Sequence, residues 1–472
     1  MHPDRLFHTV LHLLAGWGAA SPAPRSGGRL RKRPLLSERP GAVAEAGSGG
    51  GDGRVLKSCS GGGDGRGLKS SSRGGGGRGL KPGSCGASRY VPARRLAGAV
   101  LSLLAVAAAG CRGGGEDLRQ VDVSKARTAR LDALATDLRI IPLRGRDSVC
   151  TVGEVYAMKC YGDRQFLYNE RTRSIQYYVG GVYAGELDRA GRGPEEYGDI
   201  GTFAFDAAEN RLVLFDRNDR TLKFYDCATN RMVRDMPLDY YVGALEHIAG
   251  SRFLAVRENT APNSSDAAVL ILDLRDGGAV ARLPITSVQS GLLTDLALTR
   301  ERPGSLLMML PGAVNVLYRV DGEGFAEVAR IGFGRFGASR RFWEGRCDDP
   351  FYLEEWLTSG RPAAIAPSLA MCRDDRLVFW YVSRYGTLHE LPGLSLVVME
   401  RGEQRIVGEL LIEGVAERVQ PMCASEGRYF ALIQPGAIRE SAGACPPLAA
   451  DLAAAAAASG DPENPLLLTF KL

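Results

Sequence analysis

The chain has 472 residues, of which 45% are hydrophobic and 24% are charged, and its formal net charge is +5. Residues 1–110 contain 17 Lys and Arg but 5 Asp and Glu, which leaves 42 basic and 49 acidic residues, a net charge of −7, in 111–472. This acidic balance argues against nucleic acid as a partner. Only His247 and His389 follow residue 111, which excludes a histidine-rich metal site, and we expect neither a metal nor a cofactor.

Residues 1–93 do not have the composition of a folded domain. GRVLKS at 53, GRGLKS at 65 and GRGLKP at 77 form a repeat rich in Gly, Arg and Ser. Such a segment cannot bury enough apolar surface to offset chain entropy, so we predict a disordered extension. The alternative, an RNA-binding Gly/Arg tract, fits poorly because no aromatic residue lies between Trp17 and Tyr90. We expect the true translation start near Val91.

Residues 94–111 have the order of a bacterial export signal. Two arginines precede the apolar run 96–106, and small residues at 107–110 precede Cys111. The run is shorter than the roughly 20 residues of a membrane-spanning helix. AAGC at 108–111 is similar to a lipobox, so we predict lipidation at Cys111, anchoring in the bilayer and a tether over 112–135. An Ala-rich core helix ending in Gly-Cys is the alternative.

From residue 136 onward the sequence predicts short β-strands separated by Gly, Asp and Asn turns. The strands that we expect to lie innermost begin near residues 155, 203, 245, 295, 369 and 420. Spacings of this size are typical of four-stranded blades, so we predict an all-β fold, a six-bladed β-propeller over 136–472. PLLLTFKL at 465–472 is expected to pair with LRIIPL at 138–143 and close the ring. A pair of β-sandwiches is the alternative.

One blade interval is long and implies an insertion at about 333–367. DDPFYLEEWL at 348–357 and PPLAADLAAAAAAS at 446–459 both have helix signals. Aromatic and basic side chains crowd into the insertion, and such groups suit glycan or protein recognition. The candidate binding residues are Arg341, Phe342, Trp343, Tyr352 and Trp356. Alternatively, Phe351 and Trp356, which are near helical spacing, dock the helix on the propeller rim.

The segment GRGPEEYGDI at 191–200 follows a predicted β pair and precedes the LVLFD blade. It resembles the GRGPGEY motif of six-bladed β-propeller lipoproteins of Bacteroidales, which are relatives of NHL-repeat propellers. The motif residues are Gly191, Arg192, Gly193, Pro194, Glu196 and Tyr197. The chain departs from the family at Glu195, where the family prefers glycine, and Glu does not readily adopt a positive φ. Arg192 either pairs with Glu195 or Glu196 and stabilises a turn, or it binds an anionic ligand.

Seven cysteines follow Cys111 without a CxxC pair, so we expect them to act mainly as small buried hydrophobes. Taken together, the sequence predicts a lipid-anchored propeller of the cell envelope, either periplasmic or surface-facing. It would act as a binding or scaffold protein for a glycan, a peptide or a partner such as an outer-membrane complex. The alternative is an envelope hydrolase, lyase or lactonase with a carboxylate or metal site on the propeller axis.

Overall fold

The computed structural model describes residues 118–145, 152–258, 267–284, 294–345, 363–384, 393–438, 446–459 and 463–472. The predicted N-terminal extension, the export signal and Cys111 lie outside these residues. So do the predicted helix at 348–357, with Tyr352 and Trp356, and His389.

Three short strands precede the first blade: β1 (Leu118–Gln120), β2 (Arg127–Arg130) and β3 (Thr136–Pro142). Six blades follow, each an antiparallel sheet. Blade 1 contains β4 (Ala157–Tyr161), β5 (Arg164–Asn169), β6 (Ser174–Val179) and β7 (Val182–Leu187). Blade 2 contains β8 (Ile200–Asp206), β9 (Arg211–Asp216), β10 (Thr221–Asp226) and β11 (Arg231–Pro237). Blade 3 contains β12 (Val242–Ala249), β13 (Arg252–Arg257), β14 (Val269–Asp273) and β15 (Gly278–Leu283).

The remaining blades recruit the N-terminal strands. Blade 4 contains β16 (Leu298–Arg302), β17 (Ser305–Leu310), β18 (Asn315–Val320) and β19 (Phe325–Gly332). Blade 5 contains β20 (Ala363–Arg373), β21 (Arg376–Arg384), β22 (Gly393–Glu400) and β23 (Glu403–Leu411). Blade 6 contains β24 (Pro421–Ser425), β25 (Arg428–Ile433) and β26 (Leu466–Lys471), and β3 completes it. The predicted all-β, six-bladed fold is confirmed, and the pair of sandwiches is excluded.

The ring closes as the sequence predicts. β26 and β3 pair antiparallel, with Leu467 opposite Ile141 and Leu468 opposite Ile140. Leu467 and Leu468 are fully buried. The two ends of the chain therefore build one sheet, which leaves no open edge between the first and last blades.

Residues 118–135 differ from the predicted tether. β1 pairs parallel with β19, and β2 pairs parallel with β23, so each adds a fifth strand to its blade. Val123 and Leu131 are fully buried beside these strands. The apolar residues spaced along this polar segment are buried against the blades and hold the segment there. The tether prediction is therefore wrong from Leu118 onward.

Repeated Asp and Asn residues make the tight turns of blade 2. Asp226 Oδ1 accepts hydrogen bonds from the backbone N–H groups of Ala228 (3.1 Å) and Thr229 (2.8 Å). Four residues after that aspartate, Asn230 adopts φ +54°, a conformation that Asn tolerates better than most residues. Asp206 and Asn210 repeat the arrangement one hairpin earlier.

Two helices pack on the blades: α1 (Arg340–Gly345) and α2 (Pro447–Ala458). α2 confirms the helix predicted at 446–459, and its Ala449 and Leu452 are fully buried. Within the described residues, no helix combines the length and the apolar character needed to cross a membrane.

Because strands alternate in direction, each link from an outermost strand to the next innermost strand lies on one face of the ring. We call this the connection face. It carries the links 188–199, 238–241 and 412–420 and the described part of the insertion after β19.

Candidate functional site

The innermost strands of four blades bring charged and polar side chains together near the axis of the ring. β4, β8, β12 and β16 each contribute one, and a 3₁₀ turn just before β16 contributes another. We call this set the axial cluster: Lys159, Thr202, Glu246, Asp295 and Arg300.

Each cation of the axial cluster contacts a carboxylate. Lys159 Nζ lies 2.9 Å from Asp295 Oδ1 and 3.3 Å from Glu246 Oε2. Arg300 Nη2 donates to the other oxygen of Glu246, Oε1, at 2.7 Å. Thr202 Oγ1 lies 3.0 Å from both oxygens of Asp295. Glu246 is thus held between two cations, and Asp295 between a cation and a hydroxyl.

Burial and ion pairing have opposite effects on the pKa values of these groups. Burial alone would raise the pKa of Glu246, but the charges of Lys159 and Arg300 hold it below its ordinary value. Burial also dominates at Asp295, and it raises the pKa of that carboxyl despite the contact with Lys159. The pKa of Lys159 is raised, since the two carboxylates outweigh its desolvation. The cluster therefore neutralises its charges internally.

The axis is closed at the level of Arg300. β16 and β24, from blades 4 and 6, pair directly there, with Arg300 opposite Ser425. The backbone N–H of Glu426 donates to the Arg300 carbonyl at 2.7 Å. The Arg300 guanidinium also lies 4.8 Å from the centre of the Tyr161 ring. Two inner strands therefore meet across the ring at this depth.

The cluster does not have the composition of a metal site. Both of its carboxylates are already bound by Lys159 or Arg300, and a divalent cation would have to displace these side chains. Among the described residues, no group of three or more His, Cys, Asp or Glu has the geometry to hold a metal ion. His247 is buried, with Nε2 2.9 Å from the Gly250 carbonyl oxygen.

Sequence analysis missed the axial cluster, although two of its members leave a signal. Lys159 is the one charged residue of AMKCY, and Glu246 is the one carboxylate of GALEHIA, whereas Arg300 stands beside Glu301 and Arg302 in LTRER. A single charged residue inside an innermost strand indicates a buried charge that requires a partner. The sequence does not say which blade supplies that partner.

The GRGP motif forms a turn on the connection face. Gly193 N–H donates to Glu196 Oε2 at 2.6 Å, and Glu196 N–H donates to the Gly193 carbonyl at 3.1 Å. A Cβ placed on Gly191 would lie 1.8 Å from Glu196 Oε2. A larger residue at 191 would therefore displace the Glu196 carboxylate from its hydrogen bond with Gly193 N–H.

Tyr197 locks this turn to the body of blade 1. Its side chain is fully buried, and its hydroxyl lies 2.7 Å from the Arg173 carbonyl oxygen and 2.9 Å from that of Leu187. Lys223 reaches from blade 2 and donates to the Glu196 carbonyl oxygen at 2.6 Å. The turn is therefore held by both blades that it connects.

Arg192 is exposed at the tip of this turn. Of the two alternatives left open for Arg192, the structure does not show the pairing with Glu195 or Glu196. Arg189 pairs with Glu195 at 3.7 Å, while Glu196 accepts from Gly193 N–H. No described residue forms an ion pair with Arg192. Glu195 does not adopt a positive φ, so the departure from glycine does not strain the turn.

The described part of the aromatic insertion packs inward. Phe342 is 4% exposed and Trp343 is 1% exposed, and both belong to the main hydrophobic core. Phe342 and Trp343 are therefore core residues and not a binding surface, which corrects their prediction as binding residues. Arg341 of the same helix is exposed.

Among the described residues, the carboxyl of Glu417 on the connection face has no cationic partner. Glu417 lies in the link between blades 5 and 6, and partial burial raises its pKa to about 7. The Gln434 backbone N–H opposes this shift only in part. No described residue forms an ion pair with Glu417.

Residues 113–259 match the model of the DUF5128 family, which is described as a 6-bladed beta-propeller. The chain is a six-bladed β-propeller. The predicted resemblance to propellers of this kind is confirmed for the matched segment.

Solved structures from Bacteroides are similar to the propeller. A Bacteroides fragilis protein named as exported has a TM-score of 0.57 at 12% identity, over 75% of this chain and 99% of that chain. A member of the DUF4221 family from Bacteroides vulgatus has a TM-score of 0.40 at 11% identity, over 72% of this chain and 96% of that chain. At these identities the likeness shows the fold alone. No curated protein matches the propeller significantly.

Proposed function

We propose that the propeller is an exported, lipid-anchored protein of the cell envelope that binds a glycan, a peptide or a partner protein through its connection face. The observation that carries the proposal is Arg192, an exposed guanidinium without an ion pair among the described residues. It stands on a turn that Tyr197 and Lys223 hold in place. The ligand chemistry that fits is a carboxylate or another anionic group.

Rigidity favours Arg192 as a recognition residue. A turn held by two blades loses little conformational freedom when a ligand binds, so more of the contact energy contributes to affinity. Pro194 and Glu195 are also exposed there and can contact the same ligand.

The lipid anchor rests on the lipobox-like sequence before Cys111. β1 runs parallel to β19 and toward the connection face, so its first residue, Leu118, lies at the opposite face.

The binding proposal is tested with defined ligands. Purified propeller is titrated with polygalacturonate, with a neutral glucan and with an acidic peptide, and binding is followed by calorimetry. We expect Arg192→Ala to weaken binding of an acidic ligand about tenfold or more. Arg211→Ala is the matched control, because Arg211 is paired with Glu209 at the opposite face. Equal affinities of wild type and the Arg192 variant would overturn the proposal.

The anchor is tested separately in cells. An alkynyl palmitate fed to a bacterial host should label the wild-type protein and leave the Cys111→Ala variant unlabelled. The variant should leave the membrane fraction. An unlabelled wild-type protein that fractionates with soluble proteins would contradict the anchor and leave the binding proposal standing.

The enzyme alternative finds less support in the geometry. It needs free carboxylates or a metal on the axis, whereas Glu246 and Asp295 are bound by Lys159 and Arg300. Elemental analysis of purified protein tests this point directly. A stoichiometric divalent metal would favour the enzyme over the binding protein.

A further inference from the structure

An exposed arginine and an exposed tyrosine lie close together on the connection face. β9 runs antiparallel to β8, so the turn 217–220 that follows β9 returns to this face, where it meets the link 238–241. The guanidinium carbon of Arg220 lies 5.9 Å from the centre of the Tyr241 ring. Arg220 is exposed, and Tyr241 is 42% exposed.

The conformation of the turn does not require arginine at position 220. Arg220 adopts φ +55°, and the other two hairpins of blade 2 place Asn210 and Asn230 at this position, with φ +52° and +54°. Asparagine tolerates this conformation better than arginine does. Arg173 occupies the same position in blade 1, where its guanidinium donates to a backbone carbonyl of the link 188–199 at 2.9 Å. The Arg220 guanidinium forms no hydrogen bond or ion pair with a described residue, so no contact within the described chain accounts for its charge.

Backbone contacts hold both residues in place. The Leu238 N–H donates to the Arg220 carbonyl at 2.8 Å, and the Glu258 N–H donates to the Tyr241 carbonyl at 2.9 Å. The fully buried ring of Phe215 contacts the Tyr241 ring, with centres 6.3 Å apart and planes at 84°. The tyrosine is therefore fixed at the surface, and a ligand that contacts it loses little affinity to ordering.

The turn 217–220 also packs against the link that carries Arg192. The Arg217 N–H donates to the Asp199 carbonyl at 2.8 Å, and the Asp216 carboxylate accepts a backbone N–H of the same link at 2.9 Å. The unpaired guanidinium groups of the two turns therefore stand on neighbouring, hydrogen-bonded segments.

Most carboxylates around Arg220 already have a partner. Asp219 lies 3.1 Å from Lys223 Nζ, and Glu258 pairs with Arg217. Asp239 in the link 238–241 is exposed and forms no ion pair with a described residue. We call Arg220, Asp239 and Tyr241 the aromatic surface. It presents a cation, an aromatic ring and a carboxylate that accepts hydrogen bonds.

We propose that the aromatic surface binds a uronate residue of an acidic glycan, an inference that rests on the proposed function and names its ligand class. A uronate carries a carboxylate for Arg220, an apolar C–H face for Tyr241 and hydroxyls that donate to Asp239. The side chains of an acidic peptide would supply carboxylates without hydroxyl donors, and Asp239 would repel them. Further uronates of the same glycan extend toward Arg192.

The test compares two short acidic ligands, trigalacturonate and triglutamate, by calorimetry with the purified full chain at physiological ionic strength. The basic segment 1–110 is the same in every variant, so differences between variants report the propeller. We expect trigalacturonate to bind at least about tenfold more tightly than triglutamate. Equal affinities, or no binding of trigalacturonate, would overturn the glycan assignment.

Variants separate the cation from the ring. Arg220→Asn removes the charge but keeps a residue suited to the positive φ, and it should weaken trigalacturonate binding about tenfold. Tyr241→Ala should weaken it about fivefold and leave triglutamate binding unchanged, whereas Tyr241→Phe should bind like wild type. Arg211→Ala, at the opposite face, is the matched control and should change neither affinity. Melting temperatures of all variants confirm that they fold.

The outcomes distinguish this inference from the proposed function. Unchanged trigalacturonate binding in Arg220→Asn or in Tyr241→Ala would overturn the aromatic surface, and a loss in Arg192→Ala would then leave the proposed function standing. A loss in Arg220→Asn and Tyr241→Ala without one in Arg192→Ala would support the aromatic surface and overturn the role of Arg192. A loss in all three variants supports both. A Tyr241→Ala variant that loses both ligands equally would contradict recognition of a sugar ring.

Discussion

The axial cluster and the turn at 189–199 are both polar networks, but only the axial cluster pairs each of its cations with a carboxylate. In the axial cluster, Lys159 and Arg300 are matched by carboxylates supplied by other blades, and the inner strands meet there. In the turn, backbone groups and the Tyr197 hydroxyl carry the hydrogen bonds, and Arg192 remains exposed. The axial cluster thus stabilises the ring, whereas the turn leaves an exposed charge that we propose a ligand contacts. Four predictions test this division.

The largest effect is expected at the centre of the axial cluster. Glu246→Gln removes the carboxylate shared by Lys159 and Arg300 and leaves buried cations without enough counter-charge. We expect the free energy of unfolding to fall by about 3 kcal/mol, as for other broken buried ion pairs, measured by urea denaturation. Glu209→Gln, which breaks a half-exposed pair with Arg211, serves as the control and should change little. Equal effects of the two variants would contradict a structural role for the cluster.

A steric change in the turn should lower the free energy of unfolding by less than Glu246→Gln does. Gly191→Ala places a Cβ within 1.8 Å of Glu196 Oε2, so the carboxylate must leave its position over the turn. We expect a loss of about 1 to 2 kcal/mol in the free energy of unfolding. Gly436→Ala is the control, because no atom lies within 4 Å of its added Cβ. If Gly191→Ala is as neutral as Gly436→Ala, the packing of Glu196 does not define the turn.

The Tyr197 hydroxyl tests how the turn is attached to blade 1. Tyr197→Phe keeps the buried ring but leaves the carbonyl oxygens of Arg173 and Leu187 without this donor. A loss of about 1 kcal/mol is expected, measured by the shift of the urea midpoint. Tyr241→Phe, at a ring that is 42% exposed, should leave the midpoint unchanged. The Tyr197→Phe variant should also bind an acidic ligand more weakly if a rigid turn matters for recognition.

The smallest effect is expected at Glu417, the unmatched carboxyl of the connection face. Its pKa is raised from 4.5 to about 7, so its contribution to stability is complete below pH 4.5 and is lost as the pH rises through 7. Because glutamine does not ionise, Glu417→Gln removes this loss of stability at high pH. The variant should melt above wild type at pH 8, and the difference should vanish near pH 4.5.

An exposed residue of the same link supplies the control for Glu417. Glu413→Gln, which removes a half-exposed ion pair with Arg130, should change the melting temperature only slightly at pH 8. A Glu417 variant that shows no pH-dependent difference from wild type would mean that this carboxyl is not desolvated.

Sequence patterns determined the local and periodic features of the propeller. Alternating apolar strands, Asp–Asn turns and the spacing of innermost strands predicted six blades. The apolar strands at 138–143 and 465–472 predicted the closing ladder. The GRGP motif was also visible, because Gly191, Glu196 and Tyr197 act within a few residues of one another. Each of these features depends on neighbours along the chain or on a regular repeat.

Tertiary structure decided the contacts that join distant segments. Lys159 and Asp295 are 136 residues apart, and which blade neutralises which charge depends on how the ring closes. The burial of Trp343 and the pairing of β1 and β2 with later blades share this dependence. Local propensity carries no information about such partners, because they become neighbours only after six blades have packed around one axis.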